Sequence, residues 1–367
     1  MTSRSPILIV AGTRPNFIKV APLLHALRQH GGLPFRLVHS GQHHDENLFD
    51  IFFRELHIPP PDEVLEPFQG STMERFGRIM VEMERLIQGM SPRLVFVVGD
   101  VDTTLAAALA AVKCKVPLAH LEAGLRSGDR RMPEEVNRIM TDAVADHLLS
   151  TGTRATSHLL AEGQPRERIV EVGNIMIDTL HRMQGAIDRS IVLKQLGLPP
   201  RGYALLTLHR PGNVDEVGPL SRLMEATATL SRQLPVLFPV HPRTRKMLEH
   251  FGLWEQLQLL PGLRLCGPLG YLDFGRLVRD ARLVLTDSGG VQEETTVYGI
   301  PCITLRDTTE RPETVELGTS RLAADDTHRI LELASQALAG DWPQGSIPPL
   351  WDGRTAERVV AWMEQLD

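Results

Sequence analysis

The feature that most constrains this chain is an alternation of short, almost uninterrupted apolar runs with amphipathic helical segments, broken once and then restarted. Pro6–Ala11, Phe35–His39, Leu94–Val98, Val116–Leu121 and His147–Ser150 read as strands, and their continuous apolar character is that of parallel strands buried on both faces. Lys19–His30, Thr72–Gly89, Thr103–Lys113 and Pro133–Ala145 carry helical patterning between them. Pro133 followed by Glu134 and Glu135 is a strong helix start, with proline in the first turn and acids against the positive end of the dipole. A softer stretch, Asp188–Arg201, holds a short helix and runs into the linker-like Gly197-Leu-Pro-Pro-Arg-Gly202. The alternation then begins again, with strands predicted at Tyr203–Leu208, Val236–Val240, Leu263–Cys266, Leu283–Thr286 and Ile300–Leu305. Helices are predicted at Pro219–Gln233, Thr244–His250, Tyr271–Arg279, Val291–Tyr298 and Asp326–Leu338, and a last one at Arg354–Gln365 follows the Pro/Gly-rich Trp342–Pro349. Two successive α/β units with parallel sheets follow, and 367 residues exceed what one hydrophobic core comfortably serves.

Composition narrows the function classes. The formal charge is −6, no block of basic residues is present, and aromatic residues make up only 5%. Neither the phosphate-tracking surface nor the stacking platforms of a nucleic-acid binder are expected. No run approaches the roughly 20 apolar residues of a membrane span, and Ile7–Ala11 is too short for a signal-peptide core, so a cytoplasmic location is expected. Cys114, Cys266 and Cys302 are odd in number and widely separated, which suits core packing rather than disulfides or a zinc site. There is no HExxH, no short-spaced His/carboxylate set and no GxGxxG, so neither a metal nor a nicotinamide cofactor is expected.

Parallel sheets bind ligands beyond the carboxyl ends of their strands, so the polar residues there matter most. After the first strand, Gly12-Thr-Arg14-Pro-Asn-Phe-Ile-Lys19 sets two cations around a helix start, suited to a phosphate or another anion, or equally an ordinary βα turn with solvated charges. The second strand ends in Ser40-Gly-Gln42-His43-His44-Asp45, which by itself reads as a wet loop. Gly99-Asp100-Val-Asp102 follows the third, with Asp102 expected as a helix N-cap and Asp100 left at the sheet edge. Glu122 closes the next strand and Glu134 opens the helix after it. If those strands are neighbours, Asp100, Glu122 and Glu134 converge, and carboxylates sharing a site can be driven to the different pKa values acid–base chemistry needs. In the second unit, His209-Arg210 and His241-Pro-Arg243 end successive strands and read as lining a cleft. After Asp287, Ser288, Gly289 and Gly290 at a helix start read as a diphosphate cradle. Glu294, one turn on, is suited to ribose hydroxyls, and Arg306 to Glu313 supply further cations.

Taken together, GTRPNFIKVAPL, GQHHDENL, GDVDTT, HLEAGLRSGDRRMPEEVNR, LHRPGNVD, PVHPRTRK, TDSGGVQEE and LRDTTERPE, in order from residue 12 to 313, resemble the non-hydrolysing UDP-N-acetylglucosamine 2-epimerase family. The resemblance implies two Rossmann-like domains in a GT-B arrangement with the active site in the interdomain cleft. It implies an N-terminal domain over 1–187, rejoined by a C-terminal helix at about 351–367, and a UDP-binding domain over 188–350. It implies a homodimer acting on a UDP-sugar. By motif, Asp100, Glu122, Glu134 and His209 match catalytic positions. Arg14, His241, Ser288, Gly289, Gly290, Glu294 and Arg311 match positions contacting UDP, and Lys19, Gln42 and His43 lie in matching active-site segments.

The C2–H of a hexosamine has no neighbouring carbonyl to acidify it, so inverting C2 needs another route. Removal of that proton while the C1–O bond breaks releases UDP and leaves a 2-acetamidoglucal; returning proton and UDP in the other geometry gives the manno epimer. GDVDTT and LHRPGN depart from the family's commoner GDTTTT and HRREN, and some relatives with such variants act on UDP-2,3-diacetamido-uronic acids. A hydrolysing epimerase, a GT-B glycosyltransferase and a silent nucleotide-sugar-binding protein are the remaining alternatives.

Overall fold

The structure, a computed structural model, describes residues 5–41, 53, 55–66, 68 and 70–366. These residues form two compact units, 1–182 with 349–367 and 183–348.

In the first unit the described residues build a sheet of seven parallel strands: β1 (Ile7–Ala11), β2 (Phe35–His39), β3 (Glu63–Val64), β4 (Leu94–Val98), β5 (Leu118–Ala123), β6 (His147–Ser150) and β7 (Ile169–Glu171). Their order is β3-β2-β1-β4-β5-β6-β7, so the sheet grows outward in both directions from the β1/β4 pair. β1 and β4 are buried along their whole length, as their apolar runs require. Leu8, Val10, Val95 and Val97 pack against the helices Asp102–Lys113 and Thr72–Met90, whose Ala106, Ala107, Ala110, Ala111, Ile79, Met83 and Ile87 fill the same core. Ser71 and Glu74 close the start of Thr72–Met90 as a reciprocal capping box.

The second unit repeats the plan with β8 (Ala204–Thr207), β9 (Val236–Pro239), β10 (Leu263–Cys266), β11 (Leu283–Thr286), β12 (Cys302–Thr304) and β13 (Ser320–Leu322), ordered β10-β9-β8-β11-β12-β13. Each sheet therefore reverses its direction of growth once, at β1/β4 and at β8/β11, which is where an open α/β sheet leaves its ligand crevice.

The last helix, Thr355–Glu364, packs on the helix Arg14–His30 in the first unit. Asp178 accepts its Thr355 and Ala356 backbone N–H groups at 3.1 and 2.7 Å. All three cysteines are free thiols; Cys302 is fully buried and burial pushes its thiol up, while Cys114 and Cys266 lie at the margins of the cores. No helix of the described residues is long and apolar enough to cross a membrane.

Candidate active site

The turn after β1 is built around Asn16. Its Oδ1 accepts from the backbone N–H of Gly12 and Thr13, both at 3.2 Å, and its Nδ2 donates to the Val98 carbonyl at 3.0 Å, tying the turn to the end of β4. A Cβ on Gly12 would lie 2.1 Å from Thr103 Oγ1 and 2.4 Å from Ser40 Oγ, two atoms already 2.7 Å apart in a hydrogen bond. The turn is thus closed to any side chain. Arg14 sits half-buried at the first helical position.

Lys19, one turn further, is buried and its ammonium donates to Glu122. β4 and β5 pair with Val98 opposite Leu121, and Gly99 N donates to Leu121 O at 3.1 Å. Gly99 therefore falls opposite Glu122, with Asp100 one residue further on at the same carboxyl edge. Glu122 itself takes φ 73°, inside a strand whose pairing with β6 slips between Leu121 and Ala123. A bulge with a non-glycine residue in the left-handed region stores strain and re-aims the side chain, here onto Lys19. Gly99 (φ 70°) leaves the space: a Cβ there would stand 2.9 Å from Lys19 Nζ and 3.5 Å from Glu122 Oε2.

Asp100 is held by Arg138, whose Nη1 also donates to Glu135 at 2.5 Å. Glu135 accepts the Ser127 and Gly128 N–H groups at 2.9 and 3.0 Å and is almost fully buried. Glu134 lies exposed in the first turn of Pro133–Val144, at this edge, and its neighbour Glu135 is buried in the hydrogen-bonded cluster. Asp102 is not the N-cap: the helix begins at Asp102 with Val101 in the capping position, and Asp102 instead accepts from Asn137 Nδ2 at 3.2 Å. Behind the edge, buried His120 spans Asp142 (2.6 Å) and the Gly99 carbonyl (2.8 Å). Asp142 also accepts from Gly124 N and pairs with Arg126 at 2.7 Å. Burial opposes its charge, but His120 and Arg126 outweigh that and hold its carboxyl below the usual aspartate range.

In the second unit, His209 and Asp287 end β8 and β11, the pair flanking the reversal point. Asp287 is fully buried and takes His209 Nδ1 at 2.8 Å, the backbone N–H groups of His209 and Arg210 at 3.0 and 2.9 Å, and Asn213 Nδ2 at 3.2 Å. Burial works against its charge, yet His209 and these N–H groups hold the carboxyl below its ordinary value. His241, exposed, caps the helix Pro242–His250 by accepting from Arg243 N at 3.2 Å, and its ring centre is 5.9 Å from that of His209.

Ser288 caps the helix Gly289–Tyr298 through its backbone, its side chain making no capping bond. A Cβ on Gly289 would come within 2.9 Å of Glu310 Oε1. Glu294 is buried beside Tyr271, whose phenol is pushed well up by burial first and by Glu294 second. Arg311 is buried in an ion pair with Glu293. Glu310 accepts from Arg210 at 2.9 Å and Arg306 at 2.6 Å; burial, with Arg210 nearby, pulls the Arg306 guanidinium down despite Glu310.

The structure thus brings Lys19, Asp100 and Glu122 together at one sheet edge, and His209, His241 and the Ser288–Gly290 turn at the strand ends of the other. Gln42 and His43 lie outside the described residues. Asn16, Arg138, Asp142 and Asp287 are given no role by the sequence and Glu135 only that of a helix-start acid; Asn16 and Asp287 follow strands, whereas Arg138 and Asp142 lie inside Pro133–Val144, where no sequence signal marks them. Among the described residues, no three His, Cys, Asp or Glu side chains are grouped to hold a metal ion.

The sequence profile of the UDP-N-acetylglucosamine 2-epimerase family matches residues 25–364. The chain is 38% identical to the UDP-N-acetylglucosamine 2-epimerase of Methanocaldococcus jannaschii, over 96% of this chain and 97% of that one. It is 40% identical to the UDP-2,3-diacetamido-2,3-dideoxy-D-glucuronate 2-epimerase of Pseudomonas aeruginosa, over 98% and 99%. The crystal structure of the M. jannaschii enzyme in complex with UDP-GlcNAc and UDP superposes with a TM-score of 0.90 at 37% identity, covering 98% of this chain and 99% of that one. With two parallel-sheet α/β units and similarity along nearly its whole length, the chain belongs to the UDP-N-acetylglucosamine 2-epimerase family, and it is an epimerase.

Proposed function

We propose that the chain interconverts UDP-GlcNAc and UDP-ManNAc by eliminating UDP to a 2-acetamidoglucal and adding it back. The observation that carries this reading is the buried Lys19–Glu122 ion pair beside Asp100 at the β4/β5 edge. It supplies carboxylates held in fixed geometry, which proton transfer at an unactivated carbon needs. In this reading Asp100, Glu122, Glu134 and His209 carry the proton transfers. Lys19, Arg14, Gln42, His43, His241, Ser288, Gly289, Gly290, Glu294 and Arg311 bind the UDP-sugar. The cradle at Ser288–Gly290 takes the diphosphate on helix N–H groups, so that negative charge on the departing UDP is met as the C1–O bond breaks. Glu294 takes the ribose hydroxyls.

A second reading, C2 epimerisation of a UDP-2,3-diacetamido-uronic acid, is favoured by the 40% identity to the P. aeruginosa enzyme. We also read the chain as a cytoplasmic homodimer. In support, the adjacent helices Thr72–Met90 and Asp102–Lys113 leave Met73, Val81 and Val112 exposed; sedimentation velocity tests the dimer.

Incubation with each UDP-sugar alone in D2O, followed by NMR, tests the reaction. The expected product from UDP-GlcNAc is the manno epimer carrying deuterium at C2. Epimer with C2 fully protonated overturns the elimination route. Release of the free manno sugar marks a hydrolysing enzyme, and turnover of the uronate alone moves the assignment to the second reading. No turnover of either sugar overturns both.

A further inference from the structure

Asp287 is more than a link between two strand ends. Its carboxylate takes two backbone N–H groups and the Asn213 amide N–H besides the His209 ring. The His209 and Arg210 backbone N–H groups and the Asn213 amide donate to Oδ2, and His209 N also reaches Oδ1, the oxygen facing the ring, at 3.3 Å; N–H donors on both oxygens stabilise the ionised carboxylate. The His209 nitrogen facing it at 2.8 Å must then carry a proton. In the neutral ring this leaves Nε2 with its lone pair, on the side of the imidazole turned from the carboxylate, and the His209 side chain is 43% exposed. His241 is set the opposite way: its Nδ1 accepts from Arg243 N, so its proton sits on Nε2. Two histidines at neighbouring strand ends, 5.9 Å apart, thus present unlike Nε2 atoms, an acceptor and a donor.

We propose that Asp287 is a positioning residue that fixes His209 as the Nδ1–H tautomer and makes Nε2 the atom through which His209 exchanges its proton. This rests on the reading of His209 as a catalytic residue. When Nε2 takes a proton, the ring becomes a cation whose charge is met by Asp287; when it gives the proton up, the Nδ1–H tautomer returns, and Asp287 itself stays ionised throughout. The other charged groups facing the pair are Arg210, whose Nε donates to the Asp287 carbonyl at 3.1 Å, with Arg306 and Glu310 behind it and His241 in front.

The test uses the full chain with 15N-labelled histidine, His209→Ala serving to assign the His209 signals among the 14 histidines. Two-bond 15N–1H spectra above neutral pH should show His209 as Nδ1–H and His241 as Nε2–H. In Asp287→Asn the His209 tautomer preference should be lost. Its kcat with UDP-GlcNAc should fall at least about 100-fold, with KM changed less than about threefold, because orientation and charge compensation are lost rather than binding. Wild-type His209 found as Nε2–H overturns the proposal, as does an Asp287→Asn enzyme with the wild-type tautomer and kcat. Should Asp287→Asn not fold, the wild-type tautomer decides alone. If His209→Ala keeps full activity while the wild-type tautomer is Nδ1–H, the catalytic reading of His209 fails, and with it the role of Nε2, though the Asp287–His209 geometry stands.

Discussion

The Lys19 ammonium meets the Glu122 carboxylate where only 9% of one residue and 2% of the other is exposed. A buried pair of this kind is weak evidence for stability in itself, but removing one member leaves an uncompensated charge. Lys19→Met and Glu122→Gln should each destabilise the first unit by about 3–5 kcal/mol, and the double variant should lose less than the sum. Urea denaturation of the four proteins measures the coupling; additive losses would show that the two charges do not depend on each other. Glu122→Gln should also lower turnover by about 100-fold or more while UDP affinity, by calorimetry, changes little. An equal collapse in UDP affinity contradicts the assignment of Glu122 to proton transfer.

Arg138 spans Asp100 and Glu135 with separate nitrogens. Lysine carries the same charge but cannot reach both carboxylates from one point. Arg138→Lys should therefore cost about 1–3 kcal/mol and reduce kcat, because Asp100 is no longer held. Thermal denaturation with steady-state kinetics checks this, and near-wild-type values for both would show that Arg138 acts only as a local charge.

Asp142 gives a pH signature. Its folded carboxyl is held below the ordinary aspartate value, so folding favours the anion, and the stability this contributes is present above the unfolded value of about 3.9. That stability is lost as pH falls through the lower folded value. Asp142→Asn should be less stable than wild type near neutrality, and the gap should narrow as pH drops below about 4. A constant gap across urea titrations at several acidic pH values would mean that the carboxylate charge is not what His120 and Arg126 stabilise.

Gly12→Ala places a methyl where Thr103 and Ser40 already touch, and overpacking of this kind costs about 1–3 kcal/mol. Adding Ser40→Ala and Thr103→Ala should return part of the loss. If the triple variant melts no higher than Gly12→Ala, the contact is not the reason for glycine.

Ten of the strands were legible because their runs are mainly apolar, throughout in Leu94–Val98, which is buried on both faces, and with one exposed arginine each in β2 and β10. Glu63–Val64, Ile169–Glu171 and Ser320–Leu322 were not: each has two or three residues, is partly polar and lies at or next to the end of its sheet, where one face of pairing suffices. Asp100 and Glu122 could be picked out because strand ends are where parallel sheets place chemistry. Their supports could not, because Asn16 acts on Val98 and Asp287 on His209 across 82 and 78 residues of chain. The left-handed backbone of Glu122 had no signal at all, since glutamate is an ordinary strand-end residue and the bulge arises only from pairing with β6.

The helix Thr355–Glu364 and the residues flanking it, 349–367, belong to a unit whose remainder ends at 182. A ribosome therefore completes the second unit, 183–348, before it has made the segment that covers Arg14–His30 and satisfies Asp178. Until then the nascent first unit carries an uncovered apolar stripe and an aspartate without its N–H donors, the kind of surface that chaperones and misassembly compete for. The second unit is free to fold as it is synthesised, whereas the first must wait for Thr355–Glu364, so termination between residue 348 and that helix would release a chain with one finished half and one left uncovered.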